Sequence, residues 1–280
     1  MRNANRCLWL LSACVAVMTA PAAPVADEHI EVELVSENTA LVPGQTTYLG
    51  LRLKHESGWH TYWINPGDSG LPTKLSWTLP QGFSAGEIAW PAPTRFKIDD
   101  LYNFGYTGDV VLPIALAVPT NAAPGSRAAL AVEAKWLVCH EVCVPGKAQL
   151  KLDVPVATKA LVDSRYGLAF AQARLTTPLA TLPARARIAG ERITVTLATP
   201  GLSFVADDAF VAQKQIVAST PPMISRRGET LIVDFAKSEY FAGEPEDFDL
   251  VLTSRAANAP AWQGRAVFSN ENVANSPTPR

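Results

Sequence analysis

Residues 128–156, AALAVEAKWLVCHEVCVPGKAQLKLDVPV, alternate apolar and polar side chains on both sides of a CHEVC segment. Ala128, Leu130, Val132, Ala134 and Trp136 occupy every second position, as do Ala148, Leu150, Leu152 and Val154. Successive side chains point to opposite faces only in an extended backbone, so this period marks strands with one buried face. The same period runs through IEVELVS (30–36), TYLGLRLKH (47–55), GWHTYWI (58–64), TKLSWTL (73–79) and DVVLPIALAV (109–118). Gly, Pro, Asn and Asp break these runs at VPGQ (42–45), NPGDSG (65–70), LPQG (79–82) and APG (123–125). No long helical pattern intervenes, so the expected fold is all-β: an immunoglobulin-like sandwich of antiparallel strands over residues 27–157.

Beyond it the alternation lapses. Residues 158–183 place Leu161, Leu168 and the stretch 171–175 at roughly helical spacing and end in prolines, which predicts a helical or irregular linker. ARIAGERITVTLAT (186–199), FDLVLTS (248–254) and WQGRAVFS (262–269) alternate again. They predict a second, smaller β-sandwich in tandem with the first, over residues 184–270. Residues 271–280 are polar and proline-bearing and read as a disordered tail.

The chain has 280 residues, 48% hydrophobic and 18% charged, with a net charge of −2. That composition supports a sizeable core and offers no basic surface for nucleic acid. The first 26 residues put Arg2 and Arg6 ahead of an apolar run and then small residues, the layout of a cleaved signal peptide. LSAC at residues 11–14 resembles a lipoprotein box, so lipid on Cys14 is the one route by which the chain would be held at a membrane. No later run reaches the ~20 apolar residues of a spanning helix; VVLPIALAV (110–118) is interrupted by Pro113. The expected location is the periplasm.

Of four cysteines, Cys7 and Cys14 lie in the leader, leaving Cys139 and Cys143. An exported pair can oxidise. A bridge this local restricts the unfolded chain by only ~2 kcal/mol on loop entropy, which makes it a weak staple. His140 and Glu141 between the two sulfurs pull a neighbouring thiol in opposite directions, since imidazolium favours thiolate and carboxylate disfavours it. Spacing leaves the structural and redox readings level. A third reading has both thiolates hold Cu(I) or zinc with His140 or His60, although no second ligand pair accompanies them, and the expectation is no metal and no cofactor. His29 and His55 sit in polar strand-edge contexts and read as solvated.

GWHTYWINPGDSGLPTKLSWTLPQG (58–82), IDDLYNFGYTGDVVLPIAL (98–116) and WLVCHEVCVPG (136–146) occur in an order that resembles the amino-terminal periplasmic domain of the DsbD family of thiol:disulfide interchange reductases, in particular the ScsB-type (suppressor of copper sensitivity) branch. The resemblance implies two tandem immunoglobulin-like domains. It further implies a redox-active Cys139–Cys143 pair, with Cys143 bonding to the partner and Cys139 resolving the mixed disulfide. Asp99 and Asp100 would influence proton movement, Leu101 would occupy the place of the family's shielding aromatic, and Tyr102 would complete the cap loop. His60 and Tyr62, on one face of their strand, would form the site wall beside His140 and Glu141. Implied partners are thioredoxin-like periplasmic proteins and a membrane electron transporter of the DsbD/ScsB type. The cysteines stand closer together than in the best-known reductases, and the membrane and thioredoxin-like domains of the family are not in this sequence, so electrons are expected from another protein.

Plainer readings stand beside these. Asp99 and Asp100 serve equally as turn residues, Tyr62 and Tyr102 as packing aromatics, and the disulfide as a permanent feature of a non-catalytic adaptor. A copper-handling protein is the remaining alternative.

Overall fold

The computed structural model describes residues 24–178, 181–202, 204–243, 245–256 and 259–268. The expected signal peptide over residues 1–26, except residues 24–26, lies outside the described residues, as do Cys14 and the tail 271–280. The first body begins with β1 (Val25–Asp27), β2 (Ile30–Ser36), β3 (Thr46–His55), β4 (Thr61–Gly67), β5 (Lys74–Thr78) and β6 (Ser84–Ile88). It continues with β7 (Thr94–Ile98), β8 (Leu101–Tyr106), β9 (Asp109–Ala117), β10 (Arg127–Cys139) and β11 (Cys143–Pro155). After α1 (Gly167–Thr176) come β12 (Thr181–Ala189), β13 (Arg192–Ala198), β14 (Asp208–Val211), β15 (Met223–Arg227), β16 (Thr230–Ala236), β17 (Asp247–Thr253) and β18 (Trp262–Phe268).

The protein is all-β, with an immunoglobulin-like sandwich first. A five-stranded sheet, β1-β2-β3-β9-β6, lies over a three-stranded sheet, β11-β10-β5. Leu49, Leu51 and Leu53 of β3 and Leu112, Ile114 and Leu116 of β9 meet Leu130, Val132, Ala134 and Trp136 of β10 in one core. These are the alternate positions of each strand, so the period of two is the core face itself. The β6–β9 register shifts between Ala85 and Ile88, opposite Leu116 and Ile114 and just ahead of Pro113, which has no N–H to give. A third sheet, β4-β8-β7, contributes Trp63, Phe104 and Tyr106 to the same core.

Residues 158–183 are not a free tether. Helix α1 buries Phe170 and Ala173 against Val35 and Val111 on the outer face of the five-stranded sheet, and Arg174 in its last turn pairs with Glu37. β12 then starts at Thr181, three residues ahead of the expected boundary.

The carboxy-terminal body is one seven-stranded sheet, β14-β17-β18-β12-β13-β16-β15, with β12 and β18 parallel and the other neighbours antiparallel. Val195, Val233, Phe248 and Leu250 are fully buried in a single cluster, yet among the described residues no second sheet covers them. The sheet must therefore curl over its own core.

Candidate functional site

Strands β10 and β11 pair without interruption from Arg127–Pro155 to Cys139–Cys143, so the two cysteines are the last cross-strand pair before the three-residue connection His140–Glu141–Val142. Directly opposed residues hold their Cβ atoms close enough for a bridge, and Cys139 and Cys143 form one, with Cα atoms 4.2 Å apart. The connection itself is exposed; Val142 is 65% accessible, and His140 and Glu141 face solvent.

The two sulfurs are not equivalent. By alternation, Val138 and Trp136 point into the core and Cys139 points outward with Lys135 and Leu137. An outward residue should be wet, yet Cys139 is only 1% accessible while Cys143 is exposed. The cover comes from the β4-β8-β7 sheet. His60, just ahead of β4, forms an antiparallel bridge with Cys139 through two backbone hydrogen bonds, His60 N to Cys139 O at 3.0 Å and Cys139 N to His60 O at 2.9 Å. Such a pair places both side chains on one face, so the His60 imidazole and the Cys139 sulfur are neighbours. Tyr62, two residues on, lies on the same face; its ring meets His60 edge-on at 5.2 Å, and its hydroxyl stands 3.7 Å from Cys143 Sγ.

Burial holds His60 well below its ordinary imidazole range, to about 4, with neighbouring His55 and His140 adding a smaller effect of the same sign. Its Nε2 is buried without a hydrogen-bond partner. Burial pushes the Tyr62 phenol up, against a hydrogen bond with Ser69 that pulls it down. His140 packs at Gly58, whose missing side chain leaves room for the imidazole, and tilts over Trp59 at 5.9 Å.

Asp99 and Asp100 form the turn between β7 and β8, with Asp99 in the left-handed region at φ 51°, and both are exposed. Among the described residues neither carboxylate makes an ion pair. Leu101, next along, is 45% accessible, and Tyr102 is half-buried beneath Lys97. The aromatic ring on the site is Phe96 of β7, 5.1 Å from His60. It stands three residues ahead of Asp99, in the strand TRFKI (94–98). His55, expected to be solvated, is buried: its Nδ1 lies 2.8 Å from the Gly108 carbonyl and its Nε2 3.0 Å from Thr61 Oγ1. The loop carrying Gly108 folds back over the strand end, which the local sequence around His55 does not reveal. His29 is partly exposed and stacks on Trp59 at 3.7 Å while pairing with Glu56.

Chemically, the arrangement is a disulfide at a hairpin tip with one reachable and one sheltered sulfur, a neutral imidazole beside the sheltered one, and a phenol beside the other. No group of three or more His, Cys, Asp or Glu side chains placed to hold a metal occurs among the described residues. No helix of the described residues is long and apolar enough to cross a membrane.

Residues 31–155 match the family model described as thiol:disulfide interchange protein DsbD, N-terminal. The crystal structure of the N-terminal periplasmic domain of ScsB from Proteus mirabilis superposes with a TM-score of 0.65 at 18% identity, covering 89% of this chain and 98% of that one. The fold is therefore shared across both bodies. A protein of unknown function from Porphyromonas gingivalis W83 aligns at 13% identity over 85% of this chain and 99% of that one, but with a TM-score of only 0.23. The major pilin subunit of Bacillus cereus reaches 0.27 at 10% identity, over 87% and 68% of the two chains. No curated protein shows significant similarity to this chain.

Proposed function

From the resemblance of residues 31–155 to the amino-terminal domain of DsbD, we propose that this protein is a periplasmic thiol:disulfide exchange protein. It passes electrons between a membrane or thioredoxin-like donor and oxidised periplasmic proteins through Cys139 and Cys143. The carrying observation is the asymmetry of the pair, an exposed Cys143 joined to a buried Cys139 at the end of a hairpin.

In the dithiol form, the Cys143 thiolate attacks one sulfur of a partner disulfide. A Cys143–partner bond forms and the other partner sulfur leaves as a thiolate. Cys139 then loses its proton and attacks Cys143 Sγ, which re-forms the intramolecular bridge and releases the second partner thiolate. The partner has gained two electrons and takes up two protons, and a donor dithiol reverses the sequence to recharge the domain. The sheltered position suits Cys139 to the intramolecular step, because a buried sulfur is shielded from partner disulfides while Cys143 Sγ lies within its bonding reach. Asp99 and Asp100, on the exposed turn of the covering hairpin, would act on passing protons through solvent and not by contact.

The test is trapping. With Cys139→Ala, periplasmic extracts should yield mixed disulfides through Cys143, and Cys143→Ala should yield none; absence of any adduct from the first variant defeats the carrier reading. The burial of Cys139 favours a second reading, a permanent bridge in a binding module. A reduction potential below about −300 mV would select it, and a value in the range of the exchange catalysts would reject it.

A further inference from the structure

Two features remain without a role: the carboxy-terminal body and the NPGDSG loop at residues 65–70. Both converge on the cover of the disulfide. The covering hairpin β7–β8 has two faces. On one, the Phe96 ring lies 5.1 Å from that of His60, whose backbone is paired with Cys139. On the other, Arg95 reaches into the carboxy-terminal body with its side chain only 8% exposed.

Arg95 grips with all three guanidinium nitrogens. Its Nε and Nη2 bind the two carboxylate oxygens of Asp208, at 3.0 and 2.8 Å, and Nη2 also donates to the Ala209 carbonyl at 2.9 Å. Nη1 donates to the Ser219 carbonyl. The guanidinium lies 4.6 Å from the Phe104 ring centre and 4.8 Å from that of Phe210. A planar fork in this setting fixes angle as well as distance.

A second connection leaves the same strand, β14. Asn65 Nδ2 donates to the Val211 carbonyl at 2.7 Å in a buried site. The loop that Asn65 opens is bolted to β8: Tyr102 N donates to Asp68 Oδ2, Asp68 N to the Tyr102 carbonyl, and Ser69 N and Oγ to Asn103 Oδ1. The loop ends on Gly70, at φ 97°, where a Cβ would stand 2.3 Å from the Tyr62 ring. Tyr62 in turn touches Cys143. One strand of the carboxy-terminal body thus leads to Cys139 through Arg95, Phe96 and His60, and to Cys143 through Asn65, the loop ending at Gly70, and Tyr62.

We propose that the carboxy-terminal body is a clamp that fixes the β7–β8 cover over the disulfide, with Arg95 and Asn65 as positioning residues that set how readily a thiol reaches the sulfurs. The use of the clamp rests on the exchange reading; its existence does not. A buried ion pair is an inefficient way to hold two bodies together, because apolar side chains of equal volume do so without desolvating charge. What the pair supplies is orientation of the hairpin, and the hairpin's other face is the cover.

The experiment uses the full chain in its disulfide form and dithiothreitol as the probe. Reduction rates are measured well below the unfolding temperature for Asp208→Ala and Asn65→Ala. Val233→Ala, which weakens the carboxy-terminal core away from the junction, controls for stability. Asp208→Ala and Asn65→Ala should each be reduced at least fivefold faster than the unaltered protein, with the Val233→Ala rate unchanged. Equal rates in all four proteins overturn the proposal, and so does a Val233→Ala variant that accelerates as much as the junction variants. If Asp208→Ala does not fold, Asn65→Ala decides alone. Small-thiol reduction is indifferent to physiological partners, so failure to trap a mixed disulfide would defeat the carrier reading and leave this result standing.

Discussion

His60 is an imidazole held neutral between two aromatic rings and a sulfur, and its chemistry follows from that confinement. Its folded value of about 4 lies below the ordinary 6.5, so between those two values the unfolded chain binds the proton that the folded chain refuses. Stability is therefore fully present above about pH 6.5 and declines as pH falls towards 4. His55, also lowered by burial, contributes with the same sign, and exposed His140 stands near His60. His60→Gln keeps a polar side chain without the titration, so its urea midpoint should fall less between pH 7 and pH 5 than that of the unaltered protein. An equal drop in both would show that His60 does not carry the effect. At this scale the sequence was informative where faces alternate. GWHTYW places His60 and Tyr62 together because they are two residues apart in a strand, and they do meet. It was silent on what covers a face from a distant segment, which is why Phe96 went unnoticed beside Leu101.

Among the elements, the three-stranded β4-β8-β7 sheet decides whether Cys139 is sheltered, and its tightest point is Gly105. A Cβ there would lie 1.8 Å from the Thr61 carbonyl oxygen on β4, a backbone atom that cannot turn aside. Gly105→Ala must push β8 off β4 at the Tyr62–Gly105 pair itself, and should cost at least the ~1–3 kcal/mol of an overpacked core. Gly86 on β6 is the contrast. A methyl there meets nothing nearer than 3.7 Å, so Gly86→Ala should be neutral or stabilise by up to ~1 kcal/mol through the unfolded state. Denaturant titration of the two variants checks both, and a stable Gly105→Ala protein would mean that the cover yields more easily than its contacts imply. The individual strands were legible because each carries its own period of two. Their assignment to three sheets in the first body was not, since β4 and β8 are far apart in sequence and pair through Thr61–Tyr106 and Tyr62–Gly105, contacts that no local pattern encodes.

For the whole molecule, the two bodies share a core. Phe210 is 2% accessible and belongs to the cluster of the first body, edge-on to Phe104 at 5.2 Å and to Trp63 at 6.2 Å, although its strand is hydrogen-bonded into the carboxy-terminal sheet. Tandem β units separated by a helical stretch were readable, because the alternation stops and resumes. The junction was not, since Arg95 and Asp208 stand 113 residues apart and no local pattern pairs them. Continuity of packing has a thermodynamic consequence. Bodies joined by a buried aromatic cluster and a sheltered ion pair cannot separate without exposing both, so calorimetry of the intact chain should give one cooperative transition. Phe210→Ala removes the ring that bridges the cores and should cost ~3–5 kcal/mol, the usual penalty for emptying a buried aromatic site. Because that loss falls on the junction, the variant should also unfold in two steps, with the carboxy-terminal body parting from the first before either core melts. A single transition shifted to lower temperature would instead mean that Arg95, Asp208 and Asn65 hold the bodies together without the ring, and that the junction is governed by its polar contacts.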